Sequence, residues 1–146
     1  MSSHLLSTRD VALIALRPYV EAELTTAPDA TAGDFLHRTL RPVLKLQNEV
    51  LLQTVADFLR DHHVPFRAAS PPDQVRLVAE LLGRNVKLRY TVVGLVVGLL
   101  TATELVFYRQ HRSESNRRLL ELATRRVQDQ VAALASLTAE EPSAGA

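Results

Sequence analysis

Four times in this 146-residue chain a serine or threonine precedes an acid by three positions, just ahead of a helical apolar pattern: Ser7 with Asp10, Thr31 with Asp34, Ser70 with Asp73, and Thr101 with Glu104. A hydroxyl at a helix N-cap accepts a hydrogen bond from an otherwise unpaired first-turn amide. An acid three residues on reaches back to the cap and faces the positive end of the helix dipole. The pairs divide the chain into helices before any propensity is counted. No window sustains the period-two alternation of a half-buried strand. The expected fold is all-α: one domain over residues 1–137, a bundle of five or six helices around a buried apolar helix near 85–100, with a flexible tail at 138–146.

The first helix is expected after Ser7, with Val11, Leu13, Ile14, Leu16, Val20 and Leu24 on its buried side and Pro18 kinking or breaking it. The second runs from Thr31 toward His63 on Phe35, Leu36, Leu40, Val43, Leu44, Val50, Leu51, Val55, Phe58 and Leu59, with Pro42 posing the same question. Pro71 and Pro72 fit the first turn of a third helix, which Gly83 ends. A fourth covers Asn85 to Leu100, a fifth follows Thr101, and a sixth continues from Ser113 to Leu137.

Residues 90–108 carry one ionisable group, Glu104, between basic flanks and a tyrosine at each end, which is the outline of a membrane span. The Thr101 pair opposes that reading, because it starts a new helix inside the span. The apolar piece left is Thr91–Leu100, about 15 Å long at 1.5 Å per residue, half a bilayer. It is therefore expected to be wrapped by the other helices, with Gly94 and Gly98 letting a neighbour pack closely.

With 47% apolar residues and no cysteine, the chain needs no disulfide and offers no thiolate metal site. Met1–Arg9 lacks the apolar run of a secretory leader, so a cytoplasmic location is expected. A net charge of +1 gives no global attraction for nucleic acid or anionic lipid.

Several clusters carry chemistry-bearing residues. Asp34 and His37 have the spacing of two metal ligands on one helix face, but no second copy exists and Asp34 has a capping role; Asp57, Asp61, His62 and His63 read as a solvated helix end. No metal site and no cofactor are expected. Arg38, Arg41 and Lys45 share one side of the second helix with Asn48, where Gln47-Asn48 interrupts the apolar rhythm. Asn48 either holds a neighbouring helix in register or lines a small pocket with Arg41. Six arginines over 109–126 face only Glu114 and Glu121, and the i,i+4 spacings pair Glu114 with Arg118 and Glu121 with Arg125 on an outer face. There is no nucleophile elbow and no glycine-rich phosphate loop.

The segment Phe35-Leu36-His37-Arg38-Thr39-Leu40-Arg41-Pro42-Val43-Leu44-Lys45-Leu46-Gln47-Asn48, with Gly94 to Thr101, Glu104 and Asn116-Arg117-Arg118, resembles a group of small uncharacterised bacterial proteins of about this length. The resemblance implies a helical domain and carries over no functional residue. Such sequences sometimes bear a glyoxalase label; the common glyoxalase module is βαβββ, and this chain shows no strand pattern.

The function expected is a non-enzymatic helical interaction or scaffolding protein whose partner is itself or another protein, homodimeric through the first or last helix. Membrane and nucleic-acid partners are not expected. The alternative is a ligand-binding or enzymatic pocket drawing on Arg38, Arg41, Lys45, Asn48, Glu104 and Tyr108. The second alternative is a nucleic-acid accessory protein using the helix at 109–126.

Overall fold

The computed structural model describes residues 6–18 and 31–139, and every regular element among them is helical. The elements are α1 (Thr8–Leu16), α2 (Ala32–Phe35), a π-helical turn (Leu36–Leu40), α3 (Arg41–Leu46), α4 (Asn48–Asp61), α5 (Pro71–Arg84), α6 (Val86–Val97), α7 (Ala102–Gln110), α8 (Arg112–Gln128) and α9 (Val131–Ala139). No helix among the described residues is long and apolar enough to cross a membrane. There are more helices than the five or six expected, because two of the long ones are broken.

All four expected caps form. Ser7, Thr31, Ser70 and Thr101 each accept a bond from the backbone amide three residues on, at 3.0, 3.1, 3.4 and 3.3 Å. Asn85 adds a fifth cap, accepting from the Leu88 amide at 2.9 Å. The reciprocal bond closes at Thr101, where Glu104 accepts from the Thr101 amide at 2.8 Å. Aspartate is one methylene shorter than glutamate, and Asp10 and Asp73 turn elsewhere: Asp10 accepts from the Ala102 amide at 3.2 Å, and Asp73 pairs with Arg76.

The prolines act differently. Arg17 is extended at φ −72° and ψ 129°, as a residue before proline must be, and α1 ends at Leu16 ahead of Pro18. Val20 and Leu24 lie outside the described residues. Pro42 breaks nothing. It has no amide to give to the preceding turn, and the Arg41 amide reaches back five residues to the Leu36 carbonyl, so the chain passes through one wide turn and continues.

The second long helix stops at Gln47 (φ −89°, ψ 9°), and the sixth stops at Asp129 and Gln130. The two breaks meet. Asn48 donates to Gln130 Oε1 at 2.9 Å and Gln130 donates to Asn48 Oδ1 at 2.8 Å, which fixes α4 against α9. The α4 terminus is closed by His63 in the left-handed conformation (φ 52°), with the Val64 amide bonded to the Leu59 carbonyl and the His63 amide to that of Arg60, a Schellman end.

The core is continuous from Phe35, Leu40, Val43 and Leu44 through Leu51, Val55 and Leu59 to Val78, Leu82, Leu88, Val92, Val96, Leu119, Ala123, Val127 and Leu134. Each large side chain removed from water contributes about 1.5–3 kcal/mol. Val50, expected in that set, is exposed. α6 packs against α3, α4, α5 and α8, yet it is not wrapped all round. Val86, Tyr90 and Gly94, spaced four apart, form an outer stripe on which Tyr90 is 70% exposed, and a Cβ placed on Gly94 meets nothing within 4 Å. Gly94 is therefore not a close-packing point.

α6 and α7 are separate helices joined by a corner at Gly98–Thr101, and α1 closes that corner with polar groups. Carbonyls at the end of a helix lack amide partners. Here Gln47 donates to Leu95, Arg9 to Gly98 and Leu100, and Arg17 to Leu99, at 2.9, 2.8, 2.9 and 3.2 Å respectively. α1 is thus docked by Arg9, Asp10, Leu13 and Arg17, while Val11, Ile14 and Leu16, expected to be buried, face outward. Amphipathic spacing identified a face, but the orphan carbonyls of the corner decided which side of α1 turns inward.

Candidate functional site

The π turn carries Leu36 and His37 and sets Arg41 at the head of α3, opposite α8. Leu122, Arg125 and Arg126 on α8, and Asp129 as its C-cap, follow at three- and four-residue steps along one side of the helix. Together with Gln130 in the α8–α9 turn these residues line a cavity of about 460 Å³, within the range of small-molecule sites. Leu36 and Leu122 supply apolar wall. Arg41, Arg125 and Arg126 supply three guanidiniums, against the single carboxylate of Asp129.

The arginine-rich helix does not pair as the spacing suggested. Glu114 accepts from Arg118 at 2.8 Å, as expected, and from Arg117 at 2.7 Å. Glu121 takes Arg117 at 2.8 Å and leaves Arg125. Arg125 has no hydrogen-bond or ion-pair partner among the described residues and is exposed at the mouth of the cavity. Arg126 is half-buried; its Nε is shut off from solvent and bonded to nothing. Burial, and after it the nearby charge of Arg41, holds the Arg126 guanidinium below its ordinary pKa, with Asp129 partly opposing the shift. Arg41 and Arg126 thus stand close enough for their charges to oppose one another beside this concavity.

Of the residues singled out in the sequence, Arg41 lines this cavity; Asn48 does not line it, but bonds to Gln130, which does. Of the two roles considered for Asn48, this bond pair serves the one that holds a neighbouring helix. Arg38 and Lys45 flank Arg41 in the chain and are not part of the lining. Glu104 and Tyr108 belong elsewhere. Glu104 takes both Arg17 terminal nitrogens at 2.6 Å, with side chains 18% and 12% exposed. The Tyr108 hydroxyl donates to Asn116 Oδ1 at 2.6 Å while Arg112 sits over its ring. Burial opposes ionisation of Glu104, but the Arg17 bonds and the Thr101 amide outweigh it and hold the carboxyl below its ordinary pKa. Both residues secure the corner and the α7–α8 junction rather than the cavity.

His37, Arg125, Arg126, Asp129 and Gln130 lie outside the ligand-binding set expected from the sequence, where His37 reads as half of a metal-ligand spacing and the two arginines as part of the 109–126 helix. The sequence signal of the arginine pair is readable only once Glu121 is known to prefer Arg117, which leaves Asp129 as the acid near it. A neighbouring concavity of about 450 Å³, between α5 and α8, shares Arg125, but its other cations are committed: Arg89 donates to the Leu82 carbonyl and Arg117 to Glu114 and Glu121. At the α4 end, His62 stacks on Phe58 and bonds the Phe58 carbonyl. Among the described residues no three His, Asp or Glu side chains group to hold a metal ion. Comparison with protein-family models, with curated proteins and with solved structures finds no match for this chain.

Proposed function

We propose that this protein is a binding module for a small anionic ligand, held non-covalently in the cleft between the π turn and α8. The observation that carries the reading is the pairing pattern on α8, where Arg117 and Arg118 are neutralised by their own helix while Arg125 and Arg126 are left facing a cavity. Guanidiniums left without a carboxylate of their own offer paired N–H groups in the geometry by which oxyanions are held. No lining residue combines a nucleophile with a base, so the reading is of binding rather than turnover.

Thermal unfolding in phosphate or sulfate against chloride at equal ionic strength tests it. A ligand at ten times its Kd adds about 1.4 kcal/mol, which raises Tm by about 3–5 °C for a domain of this size. Arg126→Gln abolishes the increment. Equal Tm values in all three salts overturn the reading.

A second reading, a helical interaction protein that self-associates, is favoured by the outward Val11, Ile14 and Leu16 of α1, exposed at 54%, 46% and 60%. Light scattering over a hundredfold range of protein concentration checks it. The reading requires a dimer that Val11→Asp with Ile14→Asp returns to monomer.

A further inference from the structure

We infer that α1 is a releasable strap, which leaves the α6–α7 corner and melts as one unit while the bundle beneath it stays folded. The inference stands apart from both readings above, since it needs neither the cleft nor a second copy. Three observations carry it. The first is what α1 contributes to the core. Of its large apolar side chains only Leu13 is buried, and Leu13 is not among the residues of the continuous core. Val11, Ile14 and Leu16 already face outward, so leaving the corner exposes one large apolar side chain. Hydrophobic stabilisation follows the apolar area covered, and here that area is small. Nor is α1 in extensive backbone contact with any other described helix.

The second is what holds it. The seat is made by three charged side chains. Arg9 donates to the Gly98 and Leu100 carbonyls, Asp10 accepts from the Ala102 amide, and Arg17 donates to the Leu99 carbonyl and pairs with Glu104. Water replaces such bonds once α1 has left, so each contributes only the small difference between the two partners. The corner keeps its own closure meanwhile, because the reciprocal bonds of Thr101 and Glu104 involve no residue of α1. The docked state also leaves Arg17 Nε shut off from solvent and bonded to nothing, a cost that release removes.

The third is length. α1 has nine residues, and a helix so short is marginal by itself in water. Its helical form depends on the seat, so undocking and melting are one event.

Hydrogen exchange of the full chain, read by mass spectrometry at pH 7.5 where exchange reports opening equilibria, tests the inference. Amides of α1 are expected to be protected, but about a hundredfold or more less than those of α4 and α6. Val55→Ala, a core substitution, is expected to lower protection in α4 and α6 about tenfold or more and to leave α1 unchanged, because docked and released states share that core. Arg17→Gln is expected to lower α1 protection about tenfold in a chain that still unfolds cooperatively in urea. Protection in α1 that matches α4 and α6 and falls with them in Val55→Ala overturns the inference. So does an α1 without protection in the wild type, which has no docked state to release, or an Arg17→Gln chain that is unfolded throughout, since the bundle then depends on α1. Equal α1 protection in Arg17→Gln and wild type overturns the charged seat.

Discussion

The side-chain amides of Asn48 and Gln130 bond to each other twice, at 2.9 and 2.8 Å, each standing where a long helix has been interrupted. This pair makes the breaks at Gln47 and Asp129 mutually necessary, since each break places the partner amide of the other. An amide whose partner is removed is left with unsatisfied donors or acceptors in a half-buried site, which costs about 1–3 kcal/mol, whereas replacing both partners with apolar groups of similar shape is nearly neutral. Asn48→Leu is therefore expected to destabilise the fold by that amount in urea titrations, and Asn48→Leu with Gln130→Leu to recover most of it. Additive losses in the double variant contradict the pairing.

Arg17 and Glu104 join α1 to the start of α7 in a bidentate ion pair with little solvent access. Glu104 also holds the Thr101 amide. Removing either partner leaves the other charge partly buried, so Glu104→Gln is expected to cost about 1–3 kcal/mol at pH 7. The pH dependence has a definite sign. The folded-state pKa of Glu104 is lowered, so its stabilisation is complete above the unfolded glutamate value, about 4.3, and is lost as pH falls through the lower folded value. Urea midpoints from pH 7 to pH 3 should show the gap between wild type and Glu104→Gln closing in acid. A gap constant across that range contradicts the assignment.

His63 ends α4 with φ 52°, a conformation that costs a side chain about 1–2 kcal/mol. Glycine fits that place without the penalty but has more freedom to lose from the unfolded chain. His63→Gly is expected to stabilise the protein by about 0.5–1 kcal/mol, readable as a higher urea midpoint at unchanged slope. A lower midpoint contradicts the Schellman end.

Gly94 sits inside α6 with open space where a Cβ would be. Gly94→Ala is expected to add about 0.5–1 kcal/mol through helix propensity and lost unfolded-state entropy. Destabilisation contradicts an open outer stripe on α6.

What was legible in the sequence is what local chemistry decides. The caps at Ser7, Thr31, Ser70 and Thr101 need only a side chain and an amide three residues away, and the Thr101 cap located the corner that ends the apolar stretch. Pro42 announced an irregularity, but whether it breaks or widens the helix depended on the Arg41 amide finding the Leu36 carbonyl. The breaks at Gln47 and Asp129 were not legible, because glutamine, asparagine and aspartate sit in helices readily and the partner that rewards the interruption lies 82 residues away. The same distance effect hid the inward side of α1, set by carbonyls some 90 residues on, at Gly98 and Leu100. At the cleft, Arg41 was readable as a polar intrusion into an apolar pattern, as was Asn48 beside it. Arg125 was misassigned because Glu121 has an arginine four residues to each side and takes Arg117.

The most direct test of the cleft is a site-resolved one. In a ¹H–¹⁵N correlation spectrum titrated with inorganic phosphate at constant ionic strength, the perturbed amide and arginine side-chain resonances should be those of Leu36, His37, Arg41, Leu122, Arg125, Arg126 and Gln130. Shifts centred instead on Arg117 and Arg118, or scattered over the exposed arginines with no saturation, would contradict the account.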